Sequence, residues 1–258
     1  MKKLILCCLF TFSMLMSQAQ IKVIAHRGFS GIAPENTLAA FQKAIDYGIP
    51  YFELDIHKTK DDSVVVIHDS SIDRTSSNGM KGKVSQMTFE ELSRARVGYP
   101  EKFDSEFKDE KVPTLREALL LAKGKIKVCL EIKVTGAEEQ VVALLNELNM
   151  KDEVIIFSFL YPALAKIRQL DSDLDILYLM GSADESTIDY AKVINAQAIG
   201  VGGGTKLSPE YIRKAHDEGL EVWRWTVDDE KTMKELINLG IDGIISNYPN
   251  RVVKLLGQ

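Results

Sequence analysis

At 258 residues, with 45% hydrophobic and 27% charged side chains, the chain has the balance of an ordinary globular protein with a large core. A formal net charge of −5 argues against a nucleic-acid or anionic-membrane binder, and nothing in the sequence is collagen-like, low-complexity or repeated at a solenoid period. Length alone leaves open two small domains or one barrel.

Residues 1–19 read as a cleavable leader. Lys2 and Lys3 precede an apolar run from Leu4 to Met16, and Ser17-Gln18-Ala19 offers small residues for cleavage after Ala19. The run is too short to span a bilayer permanently, and Cys7 and Cys8 lie too early in it for a lipoprotein anchor. An apolar first helix of the domain is the alternative. Cleavage removes two lysines and no acid, so −5 becomes −7, and Cys129 is left as the sole cysteine with no disulfide. The expectation is an exported protein, periplasmic or secreted, with no stable membrane anchor.

From residue 20 onward apolar β-branched runs alternate with helix-period segments. Strands are expected at 22–26, 51–57, 64–68, 126–133, 154–159, 175–179, 198–201, 221–227 and 243–247. Helices are expected at 37–47, 115–122, 138–148, 162–169, 185–193, 209–218, 230–239 and 249–256. Leu38, Phe41 and Ile45 form the buried stripe of the first helix, and Thr37 starts it. Such alternation implies a parallel sheet covered by helices, and eight units in this length match a (β/α)8, or TIM, barrel. A doubly wound sheet is disfavoured because no Gly-rich phosphate loop follows the first strand; Gly202-Gly203-Gly204 is expected to be a turn. Residues 69–112 break the rhythm with Gly79, Gly82, Gly98 and Pro100 and one short helical stretch at 89–96. They are expected to form an insertion in an early βα loop, on the face where barrels keep their sites.

The period-two alternation of a strand turns Glu53 and Asp55 inward with Tyr51 and His57, and Phe52, Leu54 and Ile56 outward. The same parity pairs Glu131 with Lys133 and turns Leu130 and Ile132 outward. Three inward acids are costly without compensation. Two answers remain open: a hard divalent cation, or salt bridging to Arg27 and Lys133. His26 and His68 are expected at strand ends beside these acids, which suits acid–base work. His57 is expected to support the acids, and His216 to lie solvated on a helix.

Together these residues resemble the glycerophosphodiester phosphodiesterase family. The resemblance is carried by His26-Arg27-Gly28, Pro34-Glu35-Asn36-Thr37, Glu53-x-Asp55, His68-Asp69, Glu131-x-Lys133 and Trp225-Thr226-Val227-Asp228, in that order. Asp73-Arg74-Thr75 and Pro113-Thr114-Leu115 are similar too, and the match runs from Val23 to about Pro249. The resemblance implies that Glu53, Asp55 and Glu131 hold one divalent cation, calcium or magnesium. It implies His26 and His68 as the acid–base pair, Arg27 and Lys133 on the phosphate, and Trp225 as an apolar wall for glycerol. Glu35 and Asn36 would orient the His26-Arg27 loop.

Two positions depart from the pattern. Asn247 stands where the family usually has an aspartate near the end of the last strand, keeping hydrogen-bond geometry while losing a charge. Arg224, between two tryptophans, is expected to point toward the helices and to pair with an acid or reach solvent. The implied reaction is hydrolysis of a small-molecule glycerophosphodiester to glycerol 3-phosphate and an alcohol. By analogy with cyclising phospholipases, the glycerol 2-hydroxyl attacks, His26 is the base and His68 the acid. Lysophospholipid or glycerophosphoinositol substrates, or a non-catalytic phosphodiester-binding barrel, are the competing readings.

Overall fold

The computed structural model describes residues 21–257 apart from Asp104 and Thr205, so the expected leader with Cys7 and Cys8 lies outside the described residues. Eight parallel strands close into a barrel: β1 (Lys22–Ala25), β2 (Tyr51–Lys58), β4 (Lys127–Ile132), β5 (Val154–Ser158), β6 (Asp175–Met180), β7 (Ala198–Gly202), β8 (Glu221–Trp225) and β9 (Gly243–Ser246), with β9 returning to β1. Helices α1 (Leu38–Asp46), α4 (Leu115–Ala122), α5 (Glu138–Leu148), α6 (Tyr161–Leu170), α7 (Glu185–Val193), α8 (Pro209–Asp217), α9 (Glu230–Leu239) and α10 (Pro249–Leu256) connect them. Among the described residues no helix is long and apolar enough to cross a membrane.

One expected strand is not a stave. β3 (Val64–Val66) runs antiparallel to the end of β2, pairing Val66 with Ile56 and Val64 with Lys58. β2 is eight residues long and overshoots the barrel wall, so its exposed edge accepts a hairpin partner. Strand 64–68 therefore ends two residues early, and His68 stands in the loop beyond it rather than on a strand.

The side-chain parity holds. Phe52, Leu54, Ile56, Leu130 and Ile132 pack in the outer core between sheet and helices. Ile24, Cys129, Ile155, Phe157, Leu177 and Trp223 fill the barrel interior. Trp223 meets the Phe157 ring edge-on at 5.6 Å between centroids and the Tyr51 ring at 6.3 Å. A Cβ on Gly243 would stand 2.6 Å from that indole, so the strand passing Trp223 carries glycine there.

Helix α1 begins where Thr37 accepts from the Ala40 backbone N–H at 3.2 Å, a cap worth about 1 kcal/mol. Phe41 stacks on Phe52 at 4.4 Å, tying the helix to β2. At α4, Thr114 and Glu117 form a reciprocal capping box, and the Pro113 carbonyl accepts from Val66 N–H at 2.8 Å. The Pro113-Thr114-Leu115 motif thus stitches β3 to a helix start and stands apart from the chemistry.

Between β3 and α4 the long segment builds its own small core from Val65, Ile67, Ile72, Val84, Leu92, Ala95, Val97 and Val112. Its expected helix at 89–96 is shorter, α2 (Phe89–Leu92), and a further turn, α3 (Pro100–Phe103), was not expected. Thr88 and Glu91 cap α2, and beyond its end the backbone at Gly98 lies against the Phe107 carbonyl where no Cβ fits, before Tyr99 turns the chain at φ 48.

Candidate active site

The loop after β1 is bent by two residues in the left-handed region, Arg27 at φ 54 and Gly28 at φ 75. A side chain at Gly28 would sit 2.7 Å from Ala40, so α1 packs directly on the loop. Arg27 N–H donates to Glu53 Oε2 at 2.7 Å and Gly28 N–H to the Glu53 carbonyl at 3.0 Å. Asn36 N–H donates to the Arg27 carbonyl at 3.0 Å, and its Nδ2 donates to Asp55 Oδ2 at 2.8 Å. The Pro34–Thr37 motif therefore holds the His26-Arg27 loop against β2.

Glu53, Asp55 and Glu131 converge at the C-terminal mouth of the barrel. Register pairs Asp55 with Glu131 on neighbouring strands, and each of the three acids offers an oxygen within 4.8 Å of the others. All three are buried. Burial, then repulsion from Asp55 and Glu131, pushes the Glu53 carboxyl well above its ordinary range; burial and Asp55 push Glu131 to about 7. Burial also works against ionisation of Asp55, but Lys133, His68 and Arg27 outweigh it and hold that carboxyl low.

The salt-bridging compensation is present in the structure. Lys133 Nζ lies 2.7 Å from Glu131 Oε1 and 3.5 Å from Asp55 Oδ1, while Arg27 Nε lies 3.6 Å from Asp55 Oδ2. Yet among the described residues Glu53 Oε1 is buried with no hydrogen-bond donor, and Asp55 Oδ1 has only the Lys133 ammonium at 3.5 Å, without a hydrogen bond. An anionic oxygen left so costs several kcal/mol unless a cation meets it. An all-oxygen set with two unmatched oxygens fits a hard divalent ion.

The two histidines are anchored alike and electrified differently. His26 Nδ1 lies 2.8 Å from Asn247 Oδ1, and burial, then Arg27, lowers its pKa to about 4. His68 Nδ1 lies 2.7 Å from Asp69 Oδ1. Asp69 is held below the usual carboxylate range by Arg74, whose Nε donates to Asp69 Oδ2 at 2.7 Å and whose Nη2 donates to Glu35 Oε1 at 2.7 Å. Glu35 also accepts from Arg27 Nη1 at 2.9 Å, so one carboxylate links the two halves of the site.

The inner cleft is lined by both histidines, Arg27, Glu53, Glu131 and Lys133 on one side, and by Phe157, Phe159, Leu179 and Trp225 on the other. Trp225 meets Phe159 edge-on at 5.2 Å. A second, outer cleft runs from His26 and Arg27 to Tyr99, Lys102 and Phe103 of the long segment.

Two expectations are corrected. His57 does not touch the acids; its Nε2 lies 3.1 Å from the His68 carbonyl and so supports the second histidine. His216 is exposed on α8 as expected, with its Nε2 2.7 Å from Asp242 Oδ2. Arg224 faces outward as parity requires, yet it is buried and forms no ion pair among the described residues, donating instead to the Gly203 carbonyl at 2.9 Å. The neighbouring strands present Val201 and Ile244 at its level, which offer it no acid. Sequence reasoning gave no role to Asp69, Arg74, Asp228 or Phe159. The first three lay inside quoted motifs, and Phe159 shares inward parity with Phe157.

With this geometry in place, comparison with known proteins decides the family. The profile of the "Glycerophosphoryl diester phosphodiesterase family" matches residues 26–251. The chain belongs to that family. Among its relatives, a glycerophosphodiester phosphodiesterase of Caldanaerobacter subterraneus subsp. tengcongensis is 35% identical over 243 residues, covering 91% of this chain and 97% of the relative. One of Bacillus altitudinis is 32% identical, covering 91% and 97%. Among solved structures, an Oleispira antarctica phosphodiesterase in complex with the product sn-glycerol-3-phosphate superposes with a TM-score of 0.83 at 27% identity, covering 92% of this chain and 97% of that one.

Proposed function

We propose that this protein hydrolyses glycerophosphodiesters to glycerol 3-phosphate and an alcohol, with a divalent cation held by Glu53, Asp55 and Glu131. The observation that carries the reading is the meeting of three buried acids, two of them with unmatched oxygens, beside two Nδ1-anchored histidines. The bound ion, calcium or magnesium, would supply charge neutralisation for the phosphate.

His26, kept neutral, takes the proton of the attacking hydroxyl, which on this reading is the 2-hydroxyl of the glycerol moiety. That oxygen forms the new bond to phosphorus while the bond to the headgroup oxygen breaks. His68, held at Nδ1 by the Asp69 carboxylate, gives its proton to the departing alcohol. Water then opens the cyclic phosphate with the two roles exchanged: His68 takes the water's proton and His26 returns one to the 2-oxygen. Arg27 and Lys133 stabilise the charge that develops on the phosphate oxygens. The Trp225–Phe159 wall receives the carbon edge of glycerol.

The domain division that goes with this reading is a cleaved leader over 1–19 and a barrel domain over 20–258, with 69–112 as an insertion facing the substrate. The leader pattern supports a reaction outside the cytoplasm, and mass spectrometry of the exported protein should find a new N-terminus near Gln20. The activity is tested by measuring glycerol 3-phosphate release from a panel of glycerophosphodiesters. Chelation should abolish it and calcium or magnesium restore it, while Glu131→Gln should weaken metal binding in a protein that still folds. Full activity after exhaustive chelation would return the three acids to a salt-bridging role.

A further inference from the structure

We propose that Asp228 is a positioning residue of the reaction, acting through the Asn247 side chain to hold His26 in the tautomer with its proton on Nδ1. The proposal rests on His26 acting as the base, as set out above.

The argument is one of donors and acceptors. Asp228 lies just beyond β8, and an ionised carboxylate can only accept. Its Oδ2 takes a bond from Asn247 Nδ2 at 2.6 Å, and its Oδ1 takes bonds from the Asn247 backbone N–H at 2.9 Å and the Ser246 hydroxyl at 3.0 Å. An amide can turn either end toward a neighbour, but only its NH2 end can face a carboxylate. Asn247 Oδ1 is thereby directed the other way, where it accepts from Ser30 Oγ at 2.7 Å and stands 2.8 Å from His26 Nδ1. That oxygen has no hydrogen to give, so His26 Nδ1 must bring the proton. The lone pair needed by a base is then left on Nε2.

Nothing else in the cluster fixes this direction. The Ser30 hydroxyl can accept as readily as it donates. Were position 228 an amide, its oxygen could keep the two bonds now made by Asp228 Oδ1, and its NH2 would face Asn247. Asn247 would then turn over and offer its own NH2 to His26 and Ser30. His26 would be driven to the Nε2–H tautomer, with its base lone pair aimed away from the reacting hydroxyl.

The test reads the tautomer directly, by NMR of the metal-loaded protein with 15N-labelled histidine, His26 being assigned by comparison with His26→Ala. Wild type should show Nδ1–H. Asp228→Asn should show Nε2–H, with kcat lower by about 10²–10⁴-fold and KM little changed. The exchange variant Asp228→Asn/Asn247→Asp should return His26 to Nδ1–H and bring kcat back to within about tenfold of wild type, because the acceptor now faces His26 directly. A role limited to tying the two loops together would leave the tautomer of Asp228→Asn unchanged, and that result overturns the proposal. So does Nε2–H in wild type, or near-wild-type kcat in a folded Asp228→Asn. Should Asp228→Asn fail to fold, the wild-type and exchange-variant spectra still decide. The tautomer is read without substrate, so its outcome is separate from whether glycerophosphodiesters are hydrolysed.

Discussion

The two sides of the cleft solve one problem with opposite electrostatics. On the β1 side, His26 is half-buried, sits beside Arg27, and meets the neutral oxygen of an amide. On the side of the long segment, His68 is about one-third exposed and meets a carboxylate. The ring beside the guanidinium is held neutral and can take a proton, while the other ring is held by a carboxylate. The lesson is that residue type alone does not divide the labour between two histidines. On the mechanism proposed above, the partner on Nδ1 does.

The sharpest way to break this comparison is to remove each ring. His26→Ala and His68→Ala should each lower kcat on natural glycerophosphodiesters by about 10²–10⁴-fold. A p-nitrophenyl ester of glycerol phosphate has a leaving group that needs no proton. His68→Ala should recover much of its activity on that ester, whereas His26→Ala should stay inactive. The reverse rescue pattern would exchange the roles, and near-wild-type turnover of natural substrates by both variants would end the two-histidine mechanism.

A smaller effect should come from Asp69→Asn, which keeps the shape of the His68 anchor but not its charge. A loss of about tenfold in kcat is expected, the order of one charge-assisted hydrogen bond. An unchanged kcat would mean that the carboxylate serves only to orient the ring.

The smallest effect concerns stability. Arg74 holds the Asp69 and Glu35 carboxyls below their unfolded values, although burial opposes it at both. Their contribution is therefore present above about pH 4, where the unfolded groups are already ionised, and is lost as pH falls through the depressed folded values. Arg74 is half-exposed, so solvent screening limits the contribution to about 1 kcal/mol or less. Urea denaturation of wild type and Arg74→Gln should show a stability gap at pH 7 that narrows below pH 4. A gap that widened on acidification would contradict the sign.

Much of this site was legible because strand parity is a local rule. Glu53, Asp55 and Glu131 declare their inward direction by alternating with Leu54 and Ile132, and the structure keeps it. Other features depend on partners far along the chain. Val64–Val66 reads the same whether it is a barrel stave or a hairpin on an overshooting neighbour, and only the length of β2 decides. Arg224 has an outward direction set by parity, but the carbonyl it finds is 21 residues away in sequence. The chain from His26 through Asn247 to Asp228 joins β1 to the loops after β9 and β8, and no spacing along the sequence announces it.

Trp223, packed among Phe157, Tyr51 and the bare backbone of Gly243, gives the chamber above it a solid floor. A chamber closed below is entered from above, so the doorway is the upper end where the inner and outer clefts meet at His26 and Arg27. For a reaction in which water opens an intermediate after the first bond has broken, that doorway imposes an order of traffic. The alcohol must depart before water can take its place. The Trp223 floor bars any part of a substrate from the barrel below it, so the room for a headgroup is set at the rim.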